Sequence, residues 1–166
     1  PKMMTPRHPT LAATVRTRVK PSAVWQVYER MDWSTFNRNI SSVKATKVLS
    51  LGLTFEISTT KPSFSGSTFI ESCFKDQNSN GIIVYSLNFN PLASMTSTFK
   101  LETVKGGETE ITHGVRYDGM LKRLYEGSVE EGELRESVEE IIRQAEELEK
   151  ASNNVKRPMD GGDQTK

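Results

Sequence analysis

Few side chains in this sequence could move a proton near neutral pH inside a protein, and the most informative lie between Thr109 and Tyr117. That segment alternates like a strand, so Ile111, His113, Val115 and Tyr117 share one face. Ile111 and Val115 make it the inner face, which sets His113 among apolar groups. Desolvation there favours the neutral imidazole, a form suited to general acid or base work. A simpler role is a hydrogen bond to a neighbouring strand that only shapes the interior. Tyr117 could donate its hydroxyl to a ligand carbonyl, or stand as a wall with its hydroxyl at the rim. On the preceding strand Met95, Ser97, Phe99 and Leu101 share a face, and Phe99 and Leu101 mark it as inner. Ser97 therefore also points inward. It has no Asp or second His in pattern to activate it, so a Ser-His nucleophile is poorly supported. His8, the other histidine, falls in a Pro-rich start with little to pack.

The elements that must position these groups follow from period and punctuation. Residues 1–10 hold three prolines and read as a disordered arm. Leu11 to Lys20 alternates as a half-buried strand with Val15 and Thr17 on its apolar side. Pro21 opens a helix that carries Val24, Trp25, Val27 and Tyr28, and a short helix or turn follows at 32–37. Six strand signals come next: 43–49, 53–58, 67–74, 82–89, 95–104 and 108–117. Turns at 61–63, 77–81, 90–91 and 105–107 separate the later ones. Ser128-Val129-Glu130-Glu131 fits a capping box. Leu134, Val138, Ile141, Ile142, Ala145 and Leu148 then form one apolar helical stripe. Residues 152–166 read as a polar, disordered tail. The expected architecture is one α+β domain over 11–151. An antiparallel sheet of about seven strands, in β-α-α-β6-α order, wraps a long C-terminal helix. One helix can cover such a sheet face only in part, so an apolar pocket is expected in the remainder.

Composition narrows the function further. No apolar run is long enough to span a membrane, and residues 1–10 lack the apolar stretch of a secretory signal. The single cysteine, Cys73, cannot form an internal disulfide, and a cytoplasmic location is expected. Cys73 and His113 are the only soft ligands within the domain, too few for structural zinc. Gly106-Gly107 lies far from any strand-to-helix phosphate loop, so neither metal nor cofactor is expected. Ten Glu and two Arg fall between Glu126 and Glu149, against a basic remainder. The bases are scattered, which argues against nucleic acid. The acidic helix face could bind a basic protein partner or simply be solvated.

Three segments carry a family resemblance. Val15-x-Thr17-x-Val19-x-Pro21-x-x-Val24-Trp25 is similar to a first strand running into "P-x-x-V-W". Phe36-Asn37-Arg38-Asn39-Ile40 stands where "W-N-P-F-I" is usual. Thr109-x-Ile111-Thr112-His113-Gly114-x-Arg116-Tyr117-x-Gly119-Met120-Leu121 matches a last strand of type "T-x-L-T-H-G-E-R-F-x-G-L-L". Together they resemble the Bet v 1-like or START-like helix-grip superfamily, in its polyketide cyclase/dehydratase-like branch, over about residues 11–150. Val115 replaces the usual Glu, which removes an acidic partner for His113. The resemblance implies a cavity between sheet and helix for lipids, sterols, hormones or polyketides, sometimes with catalysis and without an organic cofactor.

The expected function is binding of a hydrophobic, oxygenated small molecule, with possible cyclisation, dehydration or isomerisation. His113 and Tyr117 are the candidate catalytic groups. Val15, Thr17, Ser97, Phe99, Leu101, Ile111 and Val115 are candidate ligand contacts, with Trp33 and Phe36 either gating the cavity mouth or sealing the sheet end. A non-catalytic carrier or sensor, and a protein-interaction module on the acidic helix, are the alternatives.

Overall fold

A computed structural model describes residues 9–155. Residues 1–8 of the expected arm, His8 included, and 156–166 of the expected tail lie outside the described residues. The order is β1 (Leu11–Thr17), α1 (Pro21–Glu29), a 3-10 turn (Trp33–Thr35), β2 (Ile40–Lys44), β3 (Thr54–Thr60), β4 (Ser63–Lys75), β5 (Gly81–Asn90), β6 (Ala93–Thr103), β7 (Thr109–Asp118), a second 3-10 turn (Lys122–Leu124) and α2 (Glu131–Val155). The first true departure from the sequence reading is β2, which lies at 40–44 rather than 43–49. Residues 45–50 form a loop there. The helix α2 also continues three residues beyond Ser152.

The seven strands make one antiparallel sheet in the order β1-β7-β6-β5-β4-β3-β2. Consecutive strands from β2 to β7 are neighbours, while β1 crosses to pair with β7, Leu11 opposite Val115 and Thr17 opposite Thr109. The long strand β4 serves two partners: 63–69 face β3, and 70–75 face β5 after a register shift between Ile70 and Ser72. An extra residue of this kind bends a strand, and here it curves the sheet around its inner face.

Helix α1 starts where Lys20 is held extended before Pro21, as the residue preceding proline prefers. It buries Ala23, Val24, Trp25, Val27 and Tyr28 and ends before Met31, whose φ of 55° leaves the helical region. The Trp25 indole N–H donates to the Ser79 carbonyl. Gly81 is needed beside it, because an added Cβ would lie 2.0 Å from the Phe74 carbonyl oxygen and 2.6 Å from the indole ring. At the start of α2 the Glu133 carboxylate accepts from the Glu130 N–H at 3.1 Å. That is the back-bonding arm of a capping box, placed two residues later than the box read at Ser128.

Helix α2 buries Leu134, Ser137, Val138, Ile141 and Ala145 against β1, β7 and α1. It covers only one side of the curved sheet, as expected. The remainder is not open. Tyr28 from α1, with Trp33 from the first 3-10 turn and Phe36 just after it, lie over the central strands. Tyr28 stacks on Phe99 at 4.1 Å between ring centroids, and Trp33 stacks on Tyr85 at 5.2 Å. Phe55 meets Trp33 edge-on at 5.4 Å. Most of the apolar pocket expected from the helix's limited reach is therefore filled by aromatic side chains.

Candidate functional site

A narrow cavity of about 30 Å³ remains beside this aromatic cluster, far below the usual volume of a small-molecule site, about 300–1,000 Å³. Its inner end is built on three adjacent strands. Tyr85 of β5 stands opposite Ser97 of β6, and Ser97 opposite Val115 of β7. His113 lies two residues along from Val115 on the same face, with its Nε2 3.4 Å from Ser97 Oγ. Met95, Ile40, Val129 and Leu134 form apolar walls. Toward solvent the lining changes to Asn37, Asn39, Thr59 and Lys61. The site thus runs from an apolar, hydroxyl-bearing floor to a polar mouth.

The floor is electrically quiet. Burial pushes the His113 imidazole down to about 4, so it is neutral near pH 7, a lone-pair acceptor and an N–H donor at once. Burial likewise pushes the Tyr85 phenol up to about 12, against the lowering effect of its hydrogen bond to Ser97. Tyr28 is raised well above the phenol range, by burial first and by Tyr85 second. Each hydroxyl keeps its proton and can donate it in a hydrogen bond to a carbonyl.

The mouth is held by charge. Glu133, whose side chain is 11% exposed, receives Lys61 Nζ at 3.4 Å and Asn39 Nδ2 at 3.4 Å. Arg38 reaches Glu133 at 4.0 Å and Glu136 at 2.7 Å. Burial pushes the Glu133 carboxyl up, but bonds from the Glu130 N–H, Asn39 and Lys61 outweigh it and hold it below the usual range. These contacts tie the segment before β2 and the β3–β4 turn to the start of α2.

The residues singled out in the sequence are distributed as follows. Ser97, His113 and Val115 line the cavity. Phe99, Leu101 and Ile111 are on the expected inner face but packed into the core. Tyr117 is buried opposite Met95, and its hydroxyl lies 3.1 Å from Ser128 Oγ, outside the cavity lining. Trp33 and Phe36 are core residues. The Trp33 indole N–H donates to the Tyr28 carbonyl at 3.0 Å, and both rings are buried. Val15 packs half-buried at the β1 edge, and Thr17 Oγ1 accepts from the Val19 N–H at 3.2 Å; neither reaches the cavity. Tyr85 joins the lining without a motif to mark it, although Ile83, Tyr85 and Leu87 alternate inward on β5. Asn39, Lys61 and Glu133 carry no comparable signal, being set by loop and helix-end geometry.

Larger depressions, of about 300 to 590 Å³, lie on the outer surface and are lined largely by Lys, Arg, Glu, Ser and Thr. Among the described residues no group of three metal-ligating side chains occurs, and no helix is long and apolar enough to cross a membrane.

No family model and no curated protein sequence matches the chain. Solved structures do. A hypothetical protein of Helicobacter pylori aligns with a TM-score of 0.63 at 11% identity, covering 81% of this chain and 84% of that one. Norcoclaurine synthase from Thalictrum flavum aligns with a TM-score of 0.61 at 8% identity, covering 84% and 94%. The human StarD13 lipid transfer and protein localization domain aligns with a TM-score of 0.52 at 15% identity, covering 78% and 75%. With its antiparallel sheet curved beside a long C-terminal helix, this chain has the helix-grip fold of the START and Bet v 1-like proteins.

Proposed function

We propose that this protein binds a hydrophobic, oxygenated small molecule, with its polar end on Tyr85, Ser97 and His113. The observation that carries the reading is the floor itself: a phenol, a hydroxyl and a neutral imidazole on adjacent strands, facing an apolar-walled cavity. Buried polar groups are normally satisfied within the protein, and a row of them beside a void fits a ligand carbonyl or hydroxyl. Two fold neighbours are compatible with either carriage or chemistry: one is a lipid transfer domain, the other a synthase solved with dopamine and hydroxybenzaldehyde. A polyketide-like ligand follows from the sequence resemblance alone.

Room for such a ligand comes from parting the mouth, where segments 37–39 and 59–61 are held to α2 by bonds whose basic partners are exposed. If the protein is an enzyme, Tyr85 or Ser97 polarises the ligand carbonyl by hydrogen bonding. His113 then takes a proton from the adjacent carbon. A base depressed to about 4 is weak, so proton transfer there needs a substrate acidified by that polarisation.

On the acidic helix, part of the charge is met by intramolecular pairs. Arg143 bridges Glu140 and Glu147, Arg135 pairs with Glu131, and Arg38 with Glu136. These three Arg offset part of the charge on the Glu-rich face, which stays net negative.

The test is native mass spectrometry of protein purified from its own source, before and after denaturation. A discrete extra mass lost on denaturation, and absent from a Tyr85→Phe/Ser97→Ala variant, is the expected result. A clean apo mass, together with no thermal shift from a panel of oxygenated hydrophobic compounds, would sink the proposal.

A further inference from the structure

Three connections meet at one end of the sheet. Strands β3, β5 and β7 all run toward it, so the β3–β4 turn at 61–62, the β5–β6 turn at 91–92 and the segment 119–124 lie together there. The first of these belongs to the cavity mouth. The other two carry four exposed apolar side chains: Leu92 at 44%, Met120 at 84%, Leu121 at 37% and Leu124 at 74% exposure. Two exposed basic residues, Lys122 and Arg123, are interleaved with them. Glu126 is the one acidic residue from Gly119 to Val129, and Asp118 before it is paired with Arg116 at 3.0 Å.

This surface is held in shape. The Leu121 N–H donates to the Leu92 carbonyl at 3.0 Å, and Leu124 N–H closes the 3-10 turn on Leu121 at 3.0 Å. Gly119 permits the approach: its φ is 102°, and an added Cβ would stand 2.1 Å from the Leu92 carbonyl oxygen. Behind it Tyr125 stacks on Phe89 at 4.8 Å. Four apolar groups are therefore displayed on a braced platform instead of being folded inward.

We infer that this platform docks on an anionic lipid bilayer, with Leu92, Met120, Leu121 and Leu124 entering the headgroup-acyl boundary and Lys122 and Arg123 meeting lipid phosphates. Apolar side chains interleaved with basic ones are the chemistry of an interfacial membrane contact, where buried apolar area and attraction to anionic lipid act together. An apolar protein partner would not call for the two central cations. The segment leads directly into Val129, a wall of the cavity, so docking would present the mouth to the bilayer. The docking itself does not depend on what the cavity holds.

The experiment uses the full chain with vesicles of phosphatidylcholine alone or mixed with phosphatidylserine, in sedimentation. Binding is expected only to the mixed vesicles and is lost at about 0.5 M salt. A Met120→Ser/Leu124→Ser variant should bind ~10-fold more weakly, and a Lys122→Glu/Arg123→Glu variant should lose the preference for anionic lipid. The control is Val48→Ser/Leu51→Ser, an exposed apolar pair on the loop at the opposite end of the sheet, which should bind as wild type. Circular dichroism melts confirm that each variant is folded. No association with either vesicle, or an equal loss in the control, overturns the inference. Self-association without lipid that the Met120→Ser/Leu124→Ser variant abolishes assigns the face to a second copy and overturns it as well.

Discussion

The two ends of the interior are built from the same strands and differ in almost every physical respect. At one end Tyr28, Trp33, Phe36, Phe55 and Phe99 close-pack in a continuous ring cluster. At the other, two residues along the same strands, Ser97 and His113 border a cavity that opens through a polar, ion-paired mouth. On β6 the change occurs between Phe99 and Ser97; on β7 it occurs between Ile111 and His113. The pleat delivers both members of each pair to the same face. What separates them is the partner across the layer: Tyr28 covers Phe99 and Trp33 covers one side of Tyr85, so the cluster reaches the cavity floor there, while the start of α2 only borders Ser97 and His113. Packing sets the stable end, and its shortfall sets the candidate site.

The largest test breaks the packed end. Trp33→Ala removes a fully buried indole and should cost about 3–5 kcal/mol, read as a fall in the urea midpoint. A cost below about 1 kcal/mol would mean that the cluster is not the anchor of the fold.

The second test probes the polar end by pH. The native His113 is depressed from 6.5 to about 4. As pH falls, the unfolded chain takes its proton first, so the stability associated with this group is complete above about pH 6.5 and drains away down to about pH 4. The gap between those values amounts to about 3 kcal/mol. Denaturation of wild type and His113→Gln at pH 7 and pH 4 isolates it from the carboxylates; parallel losses in both proteins would contradict the buried neutral imidazole.

Ser97→Ala comes third. It strips a partner from both His113 and Tyr85 and should cost about 1–2 kcal/mol, measured by thermal unfolding. Glu133→Gln is the smallest in stability, under about 1 kcal/mol because Arg38 and Lys61 are well exposed. Its effect should appear instead as faster backbone hydrogen exchange in 37–39 and 59–61, the segments released from α2. Unchanged exchange there would show that the ion pairs do not hold the mouth.

The contrast between ends also explains what the amino-acid sequence could disclose. Alternation exposes a strand's inner face directly, and Met95, Ser97, Phe99 and Leu101, with Ile111, His113, Val115 and Tyr117, are all buried. The amphipathic stripe of α2 is equally plain. Alternation says nothing about how far along the strand an overlying group falls, so Ser97 and Phe99 look equivalent until Tyr28 is placed. The same gap hid the filling of the pocket: α1 and the 3-10 turn are short, yet three of their rings cover the sheet where the long helix does not. The β2 boundary was obscured because Val43, Val48 and Leu49 read as one apolar run, whereas the chain leaves the sheet after Lys44. Lys61 and Glu133 meet across 72 residues of sequence, a separation that no local period records.

The pairing of β1 with β7 has a kinetic consequence. Thr14 and Thr112 face each other with hydroxyls 3.0 Å apart across 98 residues of chain, and the Thr109 hydroxyl donates to the Val19 carbonyl just beyond. Such closure costs loop entropy before any contact rewards it, and topologies of this kind fold slowly, in milliseconds to seconds. During synthesis β1 is made early but has no sheet to join until β7 has followed it. Until then its backbone N–H and C=O groups are an unpaired edge. Its register is finally set by the strand that also carries His113, so β1 and the floor of the cavity are completed in the same step.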